Sequence, residues 1–265
     1  MNIVVCVKYV PDAQAERGFE ESDLTTDRVG VDGRLSELDE YPVEEALKIV
    51  EAGEGQVTVL TMGPEGAADA VKKALQMGAH AGVHVCDEAI AGSDAVATSL
   101  VLARAIQKLG EAGPVDLVLT GMASTDGVMS VVPAMLAERL GLPQVTYASE
   151  LTVDAAARSV QARRDGDAET LLVTAQLPAL VSVTDQINEP RYPSFKGIMA
   201  AKKKPVSTWT LADLGVDPAQ VGLAASWTTV EQVSARPPRE QGQVVKDEGD
   251  GGLKLAEFLT AGKFV

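Results

Sequence analysis

The stretch Asn2-Ile3-Val4-Val5-Cys6-Val7 is an unbroken apolar run rich in β-branched residues. Its texture is that of a strand buried on both faces, the kind found in parallel sheets. Runs of the same kind recur at residues 56–61, 81–85 and 115–120, each followed by an Ala-rich stretch of helical length. Strands that alternate with helices need crossover connections, so the pattern predicts an α/β fold with a doubly wound, mainly parallel sheet.

The helices bring their own punctuation. Pro64 suits a first turn, Ala67, Ala70, Val71, Ala74 and Leu75 follow the helical period, and Gly78 ends it. Ser93 and Asp94 are caps for a helix whose apolar positions run from Val96 to Leu109 before Gly110, and residues 42–51 form another, starting at Pro42. Between the first strand and its helix lies a connection of about 30 residues, far beyond the usual two to six. It leaves the carboxyl end of strand one, where open α/β sheets bind ligands. After Tyr147, four runs at 150–153, 159–163, 170–174 and 179–183 follow one another through short polar turns and predict added antiparallel strands. The expected division is an α/β domain over 1–204 and a C-terminal arm over 205–265, whose apolar end at 253–259 suits either a second subunit or the chain's own surface.

Composition narrows the function. The 265 residues carry 38 acidic and 23 basic side chains, a net charge of −15, which opposes binding to nucleic acid or anionic membranes except through a local basic patch such as Lys202-Lys203-Lys204. Cys6 and Cys86 read as small buried hydrophobes of a reducing compartment. The first eight residues show neither a signal peptide nor a span, so the expected location is the cytoplasm. His80 and His84 on one strand would lie about 13 Å apart, too far to share a metal, and with no other His in the chain a Ser-His-Asp site lacks support. The carboxylates Asp12, Glu16, Glu20, Glu21 and Asp23 of the long connection read as a solvated face, and Trp209 and Trp227 as packing. The chain has neither G-x-G-x-x-G after the first strand nor G-x-x-x-x-G-K-[ST].

Two segments carry chemistry. Gly121-Met122-Ala123-Ser124-Thr125-Asp126-Gly127-Val128-Met129-Ser130-Val131-Val132-Pro133 follows the fourth strand and opens a helix running to about Leu140. It reads equally as an anion site at a helix N-terminus or as an ordinary Gly-containing turn. Asn188-Glu189-Pro190-Arg191-Tyr192-Pro193-Ser194-Phe195-Lys196-Gly197-Ile198-Met199-Ala200-Ala201-Lys202-Lys203-Lys204 combines interface anchors with a positive rim, or else packs on the protein's own core.

The second segment resembles the diagnostic run of the β subunit of electron transfer flavoproteins. The resemblance extends over at least residues 2–205 through Ile3-Val4-Val5-Cys6-Val7-Lys8, Val43-Glu44-Glu45-Ala46, Thr61-Met62-Gly63-Pro64, Ala74-Leu75-Gln76-Met77-Gly78-Ala79, Val115-Asp116-Leu117-Val118-Leu119-Thr120-Gly121 and Asp165-Gly166-Asp167-Ala168-Glu169-Thr170-Leu171. It implies an adenine-nucleotide-binding, Rossmann-like domain in an αβ heterodimer that carries electrons from flavoprotein dehydrogenases, such as acyl-CoA dehydrogenases of fatty acid β-oxidation, to a quinone oxidoreductase. FAD is then held mostly by the partner α subunit, and AMP is bound structurally by this one. Carried over, the resemblance lines the AMP pocket with Cys6, Ser36, Leu38, Met62, Gly121, Asp126, Gly127, Val128, Met129, Ser130, Val131 and Val132. It assigns partner recognition to Arg191, Tyr192, Phe195, Ile198, Met199, Lys202 and Lys203, with no catalytic residue and no metal ligand. The family's loop commonly reads Asp-Gly-Asp-Thr followed by Gln, so two polar positions are Val here, leaving phosphate contacts to backbone N–H groups and Ser130. The alternatives are a stand-alone adenine-nucleotide regulatory module, an electron-bifurcating variant with a second FAD, and an ATP pyrophosphatase, which would need a Ser-Gly-Gly-type loop where Lys8-Tyr9-Val10-Pro11-Asp12 stands.

Overall fold

The computed structural model describes all residues except 16, 17, 29, 235, 236, 239–241 and 243. Glu16, expected on the solvated face of the long connection, lies outside the described residues. The chain divides into two units, Met1–Glu231 and Gln232–Val265.

The first unit is built on one nine-stranded sheet. Its strands are β1 (Asn2–Cys6), β4 (Gln56–Met62), β5 (Ala81–Val85), β6 (Leu117–Gly121), β7 (Gln144–Asp154), β8 (Ser159–Asp165), β9 (Thr170–Gln176), β10 (Ala179–Val183) and β11 (Val206–Trp209), while β2 (Tyr9–Pro11) and β3 (Gly33–Leu35) pair separately. The order is β11-β5-β4-β1-β6-β10-β7-β8-β9, parallel from β11 to β7 and antiparallel through β8 and β9. This is the expected doubly wound, mainly parallel architecture with added antiparallel strands.

The alternation of side chains sorts the core into two layers. Ile3, Val5, Val57, Val59, Leu117 and Leu119 pack under α1 (Glu37–Ala52) and α2 (Ala68–Met77). Val4, Leu60, Val83, Val118 and Leu180 pack under α3 (Ala95–Ala112) and α4 (Val132–Leu140). From β1 the chain winds outward to β4 and β5, then returns through α3 to β6 on the other side of β1. That reversal makes the carboxyl ends of β1 and β6 the topological switch point, where such sheets hold ligands.

Three local expectations are corrected. The helix expected from Pro42 begins at Glu37, because Glu37, Asp39 and Glu40 favour a helix N-terminus and Pro42 is accommodated inside. Gly110 lies within α3 rather than ending it; a Cβ there would meet nothing, so the position demands no turn, and Gly113 follows the last helical residue. The run 179–183 is parallel, inserted between β6 and β7 and buried at all five residues. Only β7, β8 and β9 form the antiparallel ribbon. Residues 205–231 belong to the first unit: β11 extends the sheet beside β5, and α6 (Leu211–Leu214) buries Leu211 and Leu214 in the α3 layer.

The second unit contains α7 (Gly251–Ala261), in which no residue is buried. Asp247 accepts the backbone N–H groups of Gly249 and Gly251 ahead of it, and Phe258 stacks with Phe264 at 6.1 Å.

Candidate functional site

At the switch point four chain segments meet: the end of β1, the end of β4, the N-terminus of α1, and the loop from β6 to α4. The resemblance-derived residues sort onto them. Cys6 ends β1, Met62 ends β4 and Gly121 ends β6, while Ser36 and Leu38 flank the start of α1 and 126–132 lead into α4. Gly121 is required by close approach, since a Cβ there would stand 2.6 Å from Asp39 Oδ1 and 2.8 Å from the Leu38 carbonyl oxygen. The buried Ser36 hydroxyl accepts the Thr125 N–H at 3.4 Å, tying the α1 start to the loop.

The loop itself is held in an uncommon conformation. Val128 and Ser130 have φ of 50° and 59°, in the left-handed region, and Val131 returns to the right-handed helical region before Pro133 enters α4. Within the loop the Val128 N–H donates to the Ser124 carbonyl at 3.1 Å and the Gly127 N–H to Asp126 Oδ1 at 2.7 Å, and the loop leads into the positive end of the α4 dipole. Val128 and Met129 project their apolar side chains outward.

Electrostatics at the site center on two carboxylates that the pocket prediction used only in part. Asp126 Oδ2 is 2.9 Å from Lys8 Nζ and 2.6 Å from an Arg28 terminal nitrogen, with its side chain only 5% exposed. Burial pushes its pKa up, but the charge of Lys8 and hydrogen bonds from Ser124, Arg28 and Lys8 outweigh that and hold it well below the usual carboxylate range. Asp126 is therefore engaged with the protein's own cations. Asp39 is buried and accepts the Lys8 N–H at 2.8 Å and the N–H of Gly121, bridging the ends of β1 and β6. Desolvation raises its pKa to about 7 against those bonds, and together with the Asp39 charge it lifts the Cys6 thiol to about 12. Thr120, on the same face of the sheet as Cys6, has a buried hydroxyl with no hydrogen-bond partner. Lys8, Arg28, Asp39 and Thr120 were not singled out from the sequence. The partners of Lys8 and Arg28 lie up to 118 residues away, and no local pattern marks these residues.

The second predicted group lies on and around α5 (Phe195–Ala201), which packs against α2. Gly197 permits this, because a Cβ there would meet the Gln76 carbonyl oxygen at 2.5 Å. Tyr192 and Phe195 are 92% and 81% exposed, and Ile198, Met199, Lys202 and Lys203 also face solvent. Arg191 differs: its guanidinium forms ion pairs with Glu44 at 2.7 Å and Glu51 at 2.6 Å, clamping the segment to α1. Lys204 also turns inward, donating to the Leu75 and Gly78 carbonyls at the end of α2.

The remaining singled-out residues are structural. His80 Nδ1 accepts the Val57 N–H, and His84 is buried with Nε2 3.0 Å from the Gly63 carbonyl oxygen. Trp209 packs under Lys108, whereas Trp227, expected to pack, is 85% exposed.

Comparison with known proteins places the chain in a family. Residues 23–214 match the family model described as the electron transfer flavoprotein domain. The chain is 46% identical to the electron transfer flavoprotein subunit beta of Mycobacterium bovis, across 100% of this chain and 99% of that one. It is 39% identical to protein FixA of Rhizobium meliloti, covering 91% and 83%, and 35% identical to the subunit beta of Megasphaera elsdenii, covering 97% and 96%. With a family model matched over residues 23–214 and relatives 35–46% identical over 91–100% of its length, the chain belongs to the electron transfer flavoprotein family, among its β subunits.

Proposed function

We propose that this β subunit binds AMP at the switch point, pairs with an α subunit that holds most of the FAD, and presents α5 to flavoprotein dehydrogenases. Subunits of this family are electron carriers and have no catalytic residues of their own. The observation that carries the nucleotide reading is the loop with left-handed Val128 and Ser130, which leads from the end of β6 into the N-terminus of α4 at the switch point. The residues present fit a nucleoside monophosphate: backbone N–H groups and the Ser130 hydroxyl suit the phosphate, and the unpartnered Thr120 hydroxyl offers a bond beside Cys6 and Met62. FAD, when bound in the heterodimer, supplies reversible electron exchange. The part of this chain is to orient the partners and exclude water around the cofactor.

Exposed aromatic and apolar side chains beside Lys202 and Lys203 support α5 as the docking element on an otherwise acidic molecule. We assign the acceptor side to a quinone oxidoreductase and the donors to dehydrogenases of the acyl-CoA class, in the cytoplasm. Among the described residues no helix is long and apolar enough to cross a membrane.

The test is purification of the tagged chain with its partner, a visible spectrum before and after dithionite, and identification of the nucleotides freed by denaturation. A yellow, bleachable complex releasing FAD and AMP supports the proposal. Two FAD and no AMP would favour a bifurcating carrier, and a colourless lone chain with an adenine nucleotide a regulatory module. Docking has its own test. Phe195→Asp should slow reduction by a cognate dehydrogenase roughly tenfold or more, as for loss of an interface anchor, with flavin retained. Normal rates would remove α5 from that role.

A further inference from the structure

We propose that Arg28 and Lys8, paired to Asp126, form the cationic wall that the phosphate of the bound adenylate faces, and so set the preference of the site for phosphorylated over unphosphorylated adenosine. The inference rests on the adenylate reading above and goes further, by assigning the charge selectivity of the pocket to residues outside the loop.

Charge counting leads to it. Two cations share the Asp126 carboxylate, Lys8 Nζ at 2.9 Å and the Arg28 guanidinium at 2.6 Å, a surplus of one positive charge over that carboxylate, with Asp39, which accepts the Lys8 N–H, as the second acid beside them. The cluster sits at the base of the loop, because Asp126 also accepts the Gly127 N–H at 2.7 Å. The chain as a whole carries a net charge of −15, and a phosphate approaching it meets a repulsive field unless a local surplus opposes it. The loop provides little of that surplus, since Val128, Met129 and Val131 are apolar. A lone Asp126 would repel the ligand, whereas Lys8 and Arg28 paired to it more than offset its charge.

Placement supports the assignment. Lys8 follows β1 directly, and Arg28 reaches in from the long connection, also touching the Tyr9 carbonyl at 3.4 Å. The connection, the end of β1 and the loop are thereby joined at one carboxylate. The unpartnered Thr120 hydroxyl, buried at the neighbouring strand end, is an independent sign that a ligand completes this place.

The experiment uses the intact heterodimer, exchanged with radiolabelled AMP and competed with unlabelled AMP or adenosine. For the natural protein, adenosine should compete at least a hundredfold more weakly than AMP, and AMP affinity should fall as salt rises. Arg28→Gln should weaken AMP at least tenfold, change adenosine less than twofold and flatten the salt dependence. Arg28→Lys, which keeps the charge, should stay within about threefold of the natural protein. Lys8→Gln is the second variant, with the same direction expected, should Arg28→Gln fail to assemble. Unchanged AMP affinity, or equal losses for AMP and adenosine, would overturn the inference while leaving the adenylate reading intact. Failure of the natural heterodimer to take up AMP would overturn both.

Discussion

Val128 adopts φ of 50° with its side chain 65% exposed, so it bears a left-handed backbone with little packing to offset it. That conformation costs an L-residue about 1–2 kcal/mol, and β-branched residues most, while glycine avoids it at an entropic cost of roughly 0.5–1 kcal/mol. Val128→Gly is therefore expected to stabilise the protein by a few tenths to about 1 kcal/mol in urea unfolding, and a clear loss would show that the valine packs usefully. Asp39 yields a prediction of the opposite kind. Its folded-state pKa of about 7 lies above the ordinary 3.8, so the fold favours the protonated form. The corresponding stability is fully present below about pH 4 and is lost as pH rises through about 7, at up to roughly 1.4 kcal/mol per unit. Asp39→Asn does not titrate and keeps one amide oxygen, enough to accept one of the Lys8 and Gly121 N–H groups. The stability of the natural protein relative to that variant should thus decline between pH 4 and pH 8; a flat difference would refute the raised pKa.

At the scale of elements, α5 meets α2 by a close backbone approach. Gly197 lets its backbone lie against the end of α2, and Ser194 caps it through the Gly197 N–H at 3.0 Å. Gly197→Val should lift the helix, accelerate amide exchange over 195–201 and weaken dehydrogenase coupling, while leaving nucleotide retention unchanged. Protected amides in that variant would show that α5 is held elsewhere. The elements also show what a sequence conveys. β1, β4, β5 and β6 were legible because burial on both faces leaves an apolar run that few other structures tolerate. The direction of β10 was not, although all its residues are apolar or small, because pairing direction is decided by neighbours distant in sequence. The α1 start was hidden by Pro42, which reads locally as a beginning. Cys6, Ser36, Met62 and Gly121, which the resemblance assigns to a nucleotide pocket, lie at the strand and helix ends of the switch point, and no periodic pattern marks them. The ion cluster joining Lys8, Arg28 and Asp126 spans 98 and 118 residues and leaves no periodic trace.

On the scale of the whole molecule, the first unit accounts for the core and for both candidate sites, and the second has another task to explain. Residues 232–265 contain a helix with no buried residue, yet Leu253, Leu255, Phe258 and Phe264 leave 56–68% of their surfaces exposed. Apolar exposure on that scale, within so short a unit, is what an element shows when its natural contacts lie on another chain. We therefore propose that the arm engages the α subunit, and that the functional boundary falls near Glu231, where the contact-defined unit ends. Truncation after Glu231 should then leave the melting temperature of the remaining unit within a few degrees, because both core layers and the β11 edge are intact. The affinity between subunits should drop by an order of magnitude or more, measured by titrating labelled α subunit. An unchanged subunit affinity would mean that the arm serves the chain's own fold, and a collapse in melting temperature would mean that the first unit depends on it.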